Sequence, residues 1–235
     1  MNTILLIPTG EGVGLTSACL GMIYALDCNG IKAGFLKPFS ESFQENDQNR
    51  TTSLFEHLFQ TSTVEPIAYE RVSQLIALEE MDELLEEAVS LHRSVATKHD
   101  VIIVEGLLPN HEDQFAGELN AALAQALDAK VILVSTADVQ NPRKTAEKIE
   151  AHLRQFGGAA SERTAGVLFM RTKGLPEEVA QIPVTIDPSL RLSAEIATFT
   201  IELQKYNRYL GTADLPIIGL VPFSNTLSVL RTLDI

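Results

Sequence analysis

The 235-residue sequence has no tryptophan, two cysteines, and no apolar run near the roughly 20 residues that a membrane-spanning helix needs. Cys19 and Cys28 fall on one predicted helix but on different faces, giving neither a disulfide framework nor a metal spacing. Positive charge is scarce as well: 18 Lys and Arg stand against 31 Asp and Glu, for a formal net charge of −13. No segment gathers a basic face, which excludes the electrostatic footprint of a nucleic-acid binder. The opening "MNTILLIPTG" is too short for a secretion signal and lacks its basic flank. These absences predict no nucleic-acid partner, no membrane partner and a reduced, cytoplasmic setting.

What is present is ordinary for a globular chain: 45% hydrophobic, 21% charged, with no low-complexity tract. That suffices for one large domain with a full core, and residues 1–235 are expected to form one. Six short apolar runs recur: "TILLIP" (3–8), "AGFLKP" (33–38), "VIIVEG" (101–106), "VILVS" (131–135), "GVLFM" (166–170) and "IIGLVP" (217–222). They are continuous rather than alternating, as strands buried on both faces of a parallel sheet should be. Helical patterns lie between them, over Glu79–Lys98, Asn120–Ala129 and Pro142–Phe156, the last opening on Asn141-Pro142. His92 sits on the apolar stripe of the first and reads as a structural residue. Strand–helix alternation predicts an α/β fold, a doubly wound, mostly parallel sheet in a three-layer sandwich. The polar stretch Ser40–Ser53 is the expected exposed excursion. The last stretch begins a helix without a C-cap, so the chain is expected to be a piece of something longer.

Ligands of such sheets collect at the carboxyl ends of the strands, which singles out "PTGEGVGLTS" (8–17) after the first strand. Gly10, Gly12 and Gly14 let backbone N–H groups turn inward, and the helix that follows adds its partial positive charge. Thr16 and Ser17 place hydroxyls at the first helical turn. A working phosphate loop reads G-x-x-x-x-G-K-[ST], with the lysine on the outer phosphates. Here Thr9 stands at the first glycine and Leu15 at the lysine, with Glu11 and Val13 between the glycines. Losing one preorganised charge of this kind costs on the order of 2.7–4 kcal/mol of transition-state stabilisation, by analogy with an oxyanion donor. Backbone amides survive the change, so anion binding is expected to persist where turnover does not.

Lys37 and Glu105 end the second and third strands on the same rim. Lys37 is the obvious substitute for the missing charge. Glu105, with Thr16, is where Mg²⁺ would be held. The alternative is a structural Lys–Glu pair, and both readings stay open at this point. No nucleophile and base can be paired in the sequence, because His57, His92, His99, His111 and His152 are scattered.

These segments resemble the dethiobiotin synthetase group of phosphate-loop proteins, in "KP" at Lys37-Pro38 and "VEG" at Val104–Gly106. The combination of "LIPTG…VGLTS", "FLKPFS", "VIIVEGLLP", "QFAGELN" and "LPIIGLVPF" is more specific. It resembles the N-terminal domain of the long bacterial phosphate acetyltransferases, whose loop also lacks the lysine. The likeness runs from Ile4 to about Asp234 and is weakest over Arg171–Asp214. That family interconverts acetyl-CoA and phosphate with acetyl phosphate and CoA through a C-terminal domain. The resemblance implies a piece not catalytic alone, which regulates and assembles a homo-oligomer. It also implies a small-molecule effector, a nucleotide or a metabolite such as NADH, pyruvate or phosphoenolpyruvate. An active ATP-dependent ligase and a ligand-free scaffold are the alternatives.

Overall fold

All six apolar runs form strands: β1 (Asn2–Pro8), β2 (Ala33–Leu36), β3 (Val101–Glu105), β4 (Lys130–Thr136), β5 (Thr164–Thr172) and β6 (Ile217–Pro222). The computed structural model describes residues 2–40, 50–59, 63–108, 115–136, 142–172 and 215–222. Within them the strands make one sheet in the order β2-β3-β1-β4-β5-β6, with every pairing parallel. The connecting helices are α1 (Leu15–Cys28), α2 (Arg50–Phe59), α3 (Tyr69–Ala77), α4 (Met81–Ala96), α5 (Ala116–Ala126) and α6 (Pro142–Leu153). A short 3-10 turn over Arg154–Phe156 closes α6.

The inner strands β1, β3, β4 and β5 are largely apolar because both faces are covered, whereas β6 at the sheet edge leaves Ile218 and Val221 exposed among the described residues. Leu5, Ile7, Ile102, Val104, Leu133 and Phe169 point to one side and pack with Leu75, Leu84, Leu119 and Ile149 of α3 to α6. Leu6, Phe35, Ile103, Ile132 and Leu168 point to the other and pack with Ala18, Cys19 and Ile23 of α1 and Phe55 of α2. Side chains of adjacent strand residues alternate between faces, so each face takes every second residue. A fully buried leucine such as Leu5 or Leu6 contributes roughly 1.5–3 kcal/mol. The three-layer α/β fold read from the sequence is the fold observed.

Three element boundaries differ from expectation. The helix expected over Glu79–Lys98 starts at Met81, because Glu79 sits at φ 59, outside helical space. The helix expected from Asn120 begins four residues earlier, at Ala116. Arg50–Ser53, read as part of an exposed excursion, instead opens α2, with Thr51 and Thr52 buried; Ser40 is buried too. Stacking of Phe55 on Phe35 of β2, with centroids 5.2 Å apart, holds this polar helix against the sheet. Residues 41–49 of that excursion and the closing stretch from 223 onward lie outside the described residues. Among the described residues, no helix is long and apolar enough to cross a membrane.

His92 behaves as a structural residue. It is buried on α4 and its Nε2 lies 3.0 Å from Thr3 Oγ1 at the start of β1.

Strand order fixes where a ligand can enter. From β1 the chain crosses to β2 at one edge, whereas from its neighbour β3 it crosses back over β1 to β4. The helices that follow these adjacent strands therefore lie on opposite faces, opening a crevice at their carboxyl ends.

Candidate functional site

The turn from β1 to α1 occupies that crevice. Gly12 and Gly14 adopt φ of 64 and 89, left-handed values that favour glycine, and Gly14 is the residue preceding the helix. α1 has no side-chain cap, so its first amides point out of the helix end. Among the described residues, none accepts a hydrogen bond from the backbone N–H groups of Gly10 through Ser17. A hollow of about 210 Å³ opens in front of them, lined by Gly10, Gly12, Val13, Gly14, Leu15, Thr16, Ser17, Glu105, Leu108 and Arg171.

Three sequence candidates are not on its wall. Thr9 is buried, its N–H donating to Val134 O at 2.9 Å and its hydroxyl to Ser135 Oγ at 3.0 Å, so it fastens β1 to β4. Glu11 is exposed on the outside of the turn. Lys37 is buried, with Nζ donating to Glu105 Oε1 at 3.2 Å; the two side chains are 8% and 3% exposed. At the lysine position, Leu15 packs into the core beneath α1 with Val13, Ala18 and Met170.

The rim beside Glu105 is closely tied. Thr51 Oγ1 donates to Glu105 Oε1 at 3.4 Å and lies 3.2 Å from Thr16 Oγ1. Glu105 is followed by Gly106, whose N–H donates to Leu6 O at 2.9 Å; a Cβ there would come within 2.8 Å of that same oxygen. Next, Asn120 of α5 clamps Leu107, accepting from its N–H and donating to its carbonyl, both at 2.9 Å. These contacts fix the carboxylate at the end of β3. Cys19 lies beneath it, and its thiol is pushed up by burial and secondarily by the Glu105 charge, with Lys37 opposing. That thiol is no nucleophile.

Magnesium sites of this kind draw on one or two carboxylates together with phosphate oxygens. Among the described residues Glu105 is the one carboxylate lining the hollow; its Oε1 takes Lys37 and Thr51, and its Oε2 is buried. The Thr16 hydroxyl is engaged by Thr51. The residues present do not fit a resident Mg²⁺. The open amides are what an anion entering the hollow would meet.

Sequence reasoning missed Arg171, Leu108, Thr51 and Lys148. Arg171 ends β5, where the strand-end rule that found Lys37 and Glu105 also applies. Thr51 was hidden in a polar stretch, and Lys148 reaches the loop from α6, with Nζ 2.8 Å from where a Cβ on Gly10 would lie.

A family model described as "AAA domain" matches residues 2–229. The whole chain is 78% identical to part of the phosphate acetyltransferase of Acinetobacter baylyi and 32% identical to part of that of Pseudomonas aeruginosa. In both cases it spans 32% of the relative, about a third of the length of the curated relatives it matches. The resemblance read from the sequence thus holds over the full chain. Among solved structures, the MinD cell division protein of Aquifex aeolicus aligns with 97% of this chain and 85% of its own, at 15% identity and a TM-score of 0.53. That likeness is one of fold.

Proposed function

The chain belongs to the AAA-domain family, and on that premise we propose that it is the N-terminal regulatory and assembly domain of a phosphate acetyltransferase. In this reading residues 1–235 form a single domain that is not catalytic alone. The longer protein interconverts acetyl-CoA and phosphate with acetyl phosphate and CoA in the cytoplasm, through a C-terminal transferase domain. This domain contributes to homo-oligomer assembly and holds an anionic small-molecule effector at Gly10, Gly12, Gly14, Thr16 and Ser17.

The observation that carries the reading is Leu15. A loop whose amides face a hollow has a core leucine where phosphoryl transfer needs a cation. The rim lysine does not repair the loss, because Lys37 is held by Glu105. Acetyl transfer needs an oriented phosphate, a polarised carbonyl and a thioester cleft together, and the described residues bring no such set to one place.

The test measures acetyl-CoA formation from acetyl phosphate and CoA. The 235-residue chain alone should show none above background. The longer enzyme should be active, and removing residues 1–235 from it should change effector response or assembly while leaving turnover. Robust activity from the chain alone, or loss of all turnover from a soluble truncated enzyme, overturns the reading.

A further inference from the structure

The hollow has a floor of amides but no loop lysine, in a molecule whose net charge of −13 repels anions. An anion held there would gain from a local positive charge. Lys37 does not provide one, since it forms with Glu105 a pair of no net charge. Two other cations do approach. Arg171 lines the hollow from the end of β5, exposed, on a left-handed backbone with φ 55. A bulky residue rarely adopts that conformation, which is maintained here at the mouth of the site. Lys148 of α6 comes from beyond the loop, with Nζ 2.8 Å from the position of a Cβ on Gly10. Gly10 itself has no positive φ. What its missing side chain provides is room for that ammonium. Among the described residues, no carboxylate forms an ion pair with Arg171 or Lys148.

We propose that Arg171 and Lys148 replace the loop lysine, charging the site from β5 and α6, and that it takes a phosphate-bearing ligand without a metal ion. Two positive charges beside a ring of amides match a phosphate dianion. Arginine's planar fork suits phosphate oxygens, and the lysine acts as a point charge near the start of the loop. The neutral Lys37–Glu105 pair stands where a metal-binding carboxylate would otherwise act. The inference rests on reading the loop as an anion site and adds what charges it.

The test is calorimetric titration of the whole 235-residue chain with inorganic pyrophosphate, in EDTA and again with Mg²⁺. The wild type should bind in EDTA. Arg171→Gly should weaken binding about tenfold or more, the loss expected for a charge-assisted contact. Its thermal midpoint should hold or rise, because glycine accepts this φ. Arg171→Lys should retain most of the affinity, and Lys148→Ala should weaken binding less than Arg171→Gly. If Arg171→Gly and Lys148→Ala both bind like the wild type, the inference is overturned while the loop remains an anion site. Binding that requires Mg²⁺ overturns the metal-free claim. Absence of binding by the wild type in both conditions overturns the inference together with the loop reading beneath it.

Discussion

The two halves of the crevice use their polar groups in opposite ways. On the β3 side, Lys37, Glu105, Thr51 and Thr16 are tied to one another under cover of α1 and α2. On the β1 and β5 side, the loop amides, Arg171 and Lys148 make no hydrogen bond or ion pair to any described residue that would commit them. Lysine and carboxylate at strand ends would serve chemistry in a turnover site; here they act as structure.

The largest expected effect comes from breaking the closed half. Glu105→Leu leaves Lys37 buried without its partner and should cost about 3–5 kcal/mol in urea unfolding. Lys37→Met combined with Glu105→Leu should recover much of that loss, since no charge is then stranded. For contrast, Arg71 pairs with Glu83 and Glu87 across α3 and α4 in partial solvent, and Glu83→Gln should cost under about 1 kcal/mol. If Glu105→Leu costs as little as Glu83→Gln, the closed half is not structural.

A smaller effect is expected at Thr51, which links α2 to the rim. Thr51→Val should lower unfolding stability by about 1 kcal/mol through its lost hydrogen bonds. An unchanged midpoint would detach α2 from the site.

The smallest effect lies at the opposite end of β1. Burial holds the His92 imidazole below its usual pKa, so the unfolded chain binds a proton more readily than the folded one. Stability from this residue is fully present above about pH 6.5 and declines as pH falls toward the lower folded value. His92→Leu should flatten unfolding stability across that acidic window without altering pyrophosphate affinity. A variant with the wild-type slope would remove His92 as its cause.

The sheet was legible because a parallel strand covered on both faces must be apolar, and all six runs became strands, although β6 leaves Ile218 and Val221 exposed among the described residues. The glycine loop was equally legible, since its position after β1 and the missing lysine are both local facts. Lys37 and Glu105 were visible as strand-end residues, but only their 3.2 Å approach decides between rim chemistry and a buried pair. α2 was missed because Thr51 and Thr52 are polar in composition and buried by contacts made across the fold. Lys148 carries no local signal at all. It reaches Gly10 only because the crossover after β4 returns α6 beside the loop, a consequence of strand order that no window of sequence contains.

The central claim is that this loop retains an anion cradle while having lost turnover. Its most direct test is steady-state Mg-ATP hydrolysis by the purified chain, with phosphate release as the readout. The account predicts no release above the buffer rate, for the wild type and for Lys37→Ala alike. Hydrolysis at about 1 s⁻¹ or more that Lys37→Ala abolishes would contradict it.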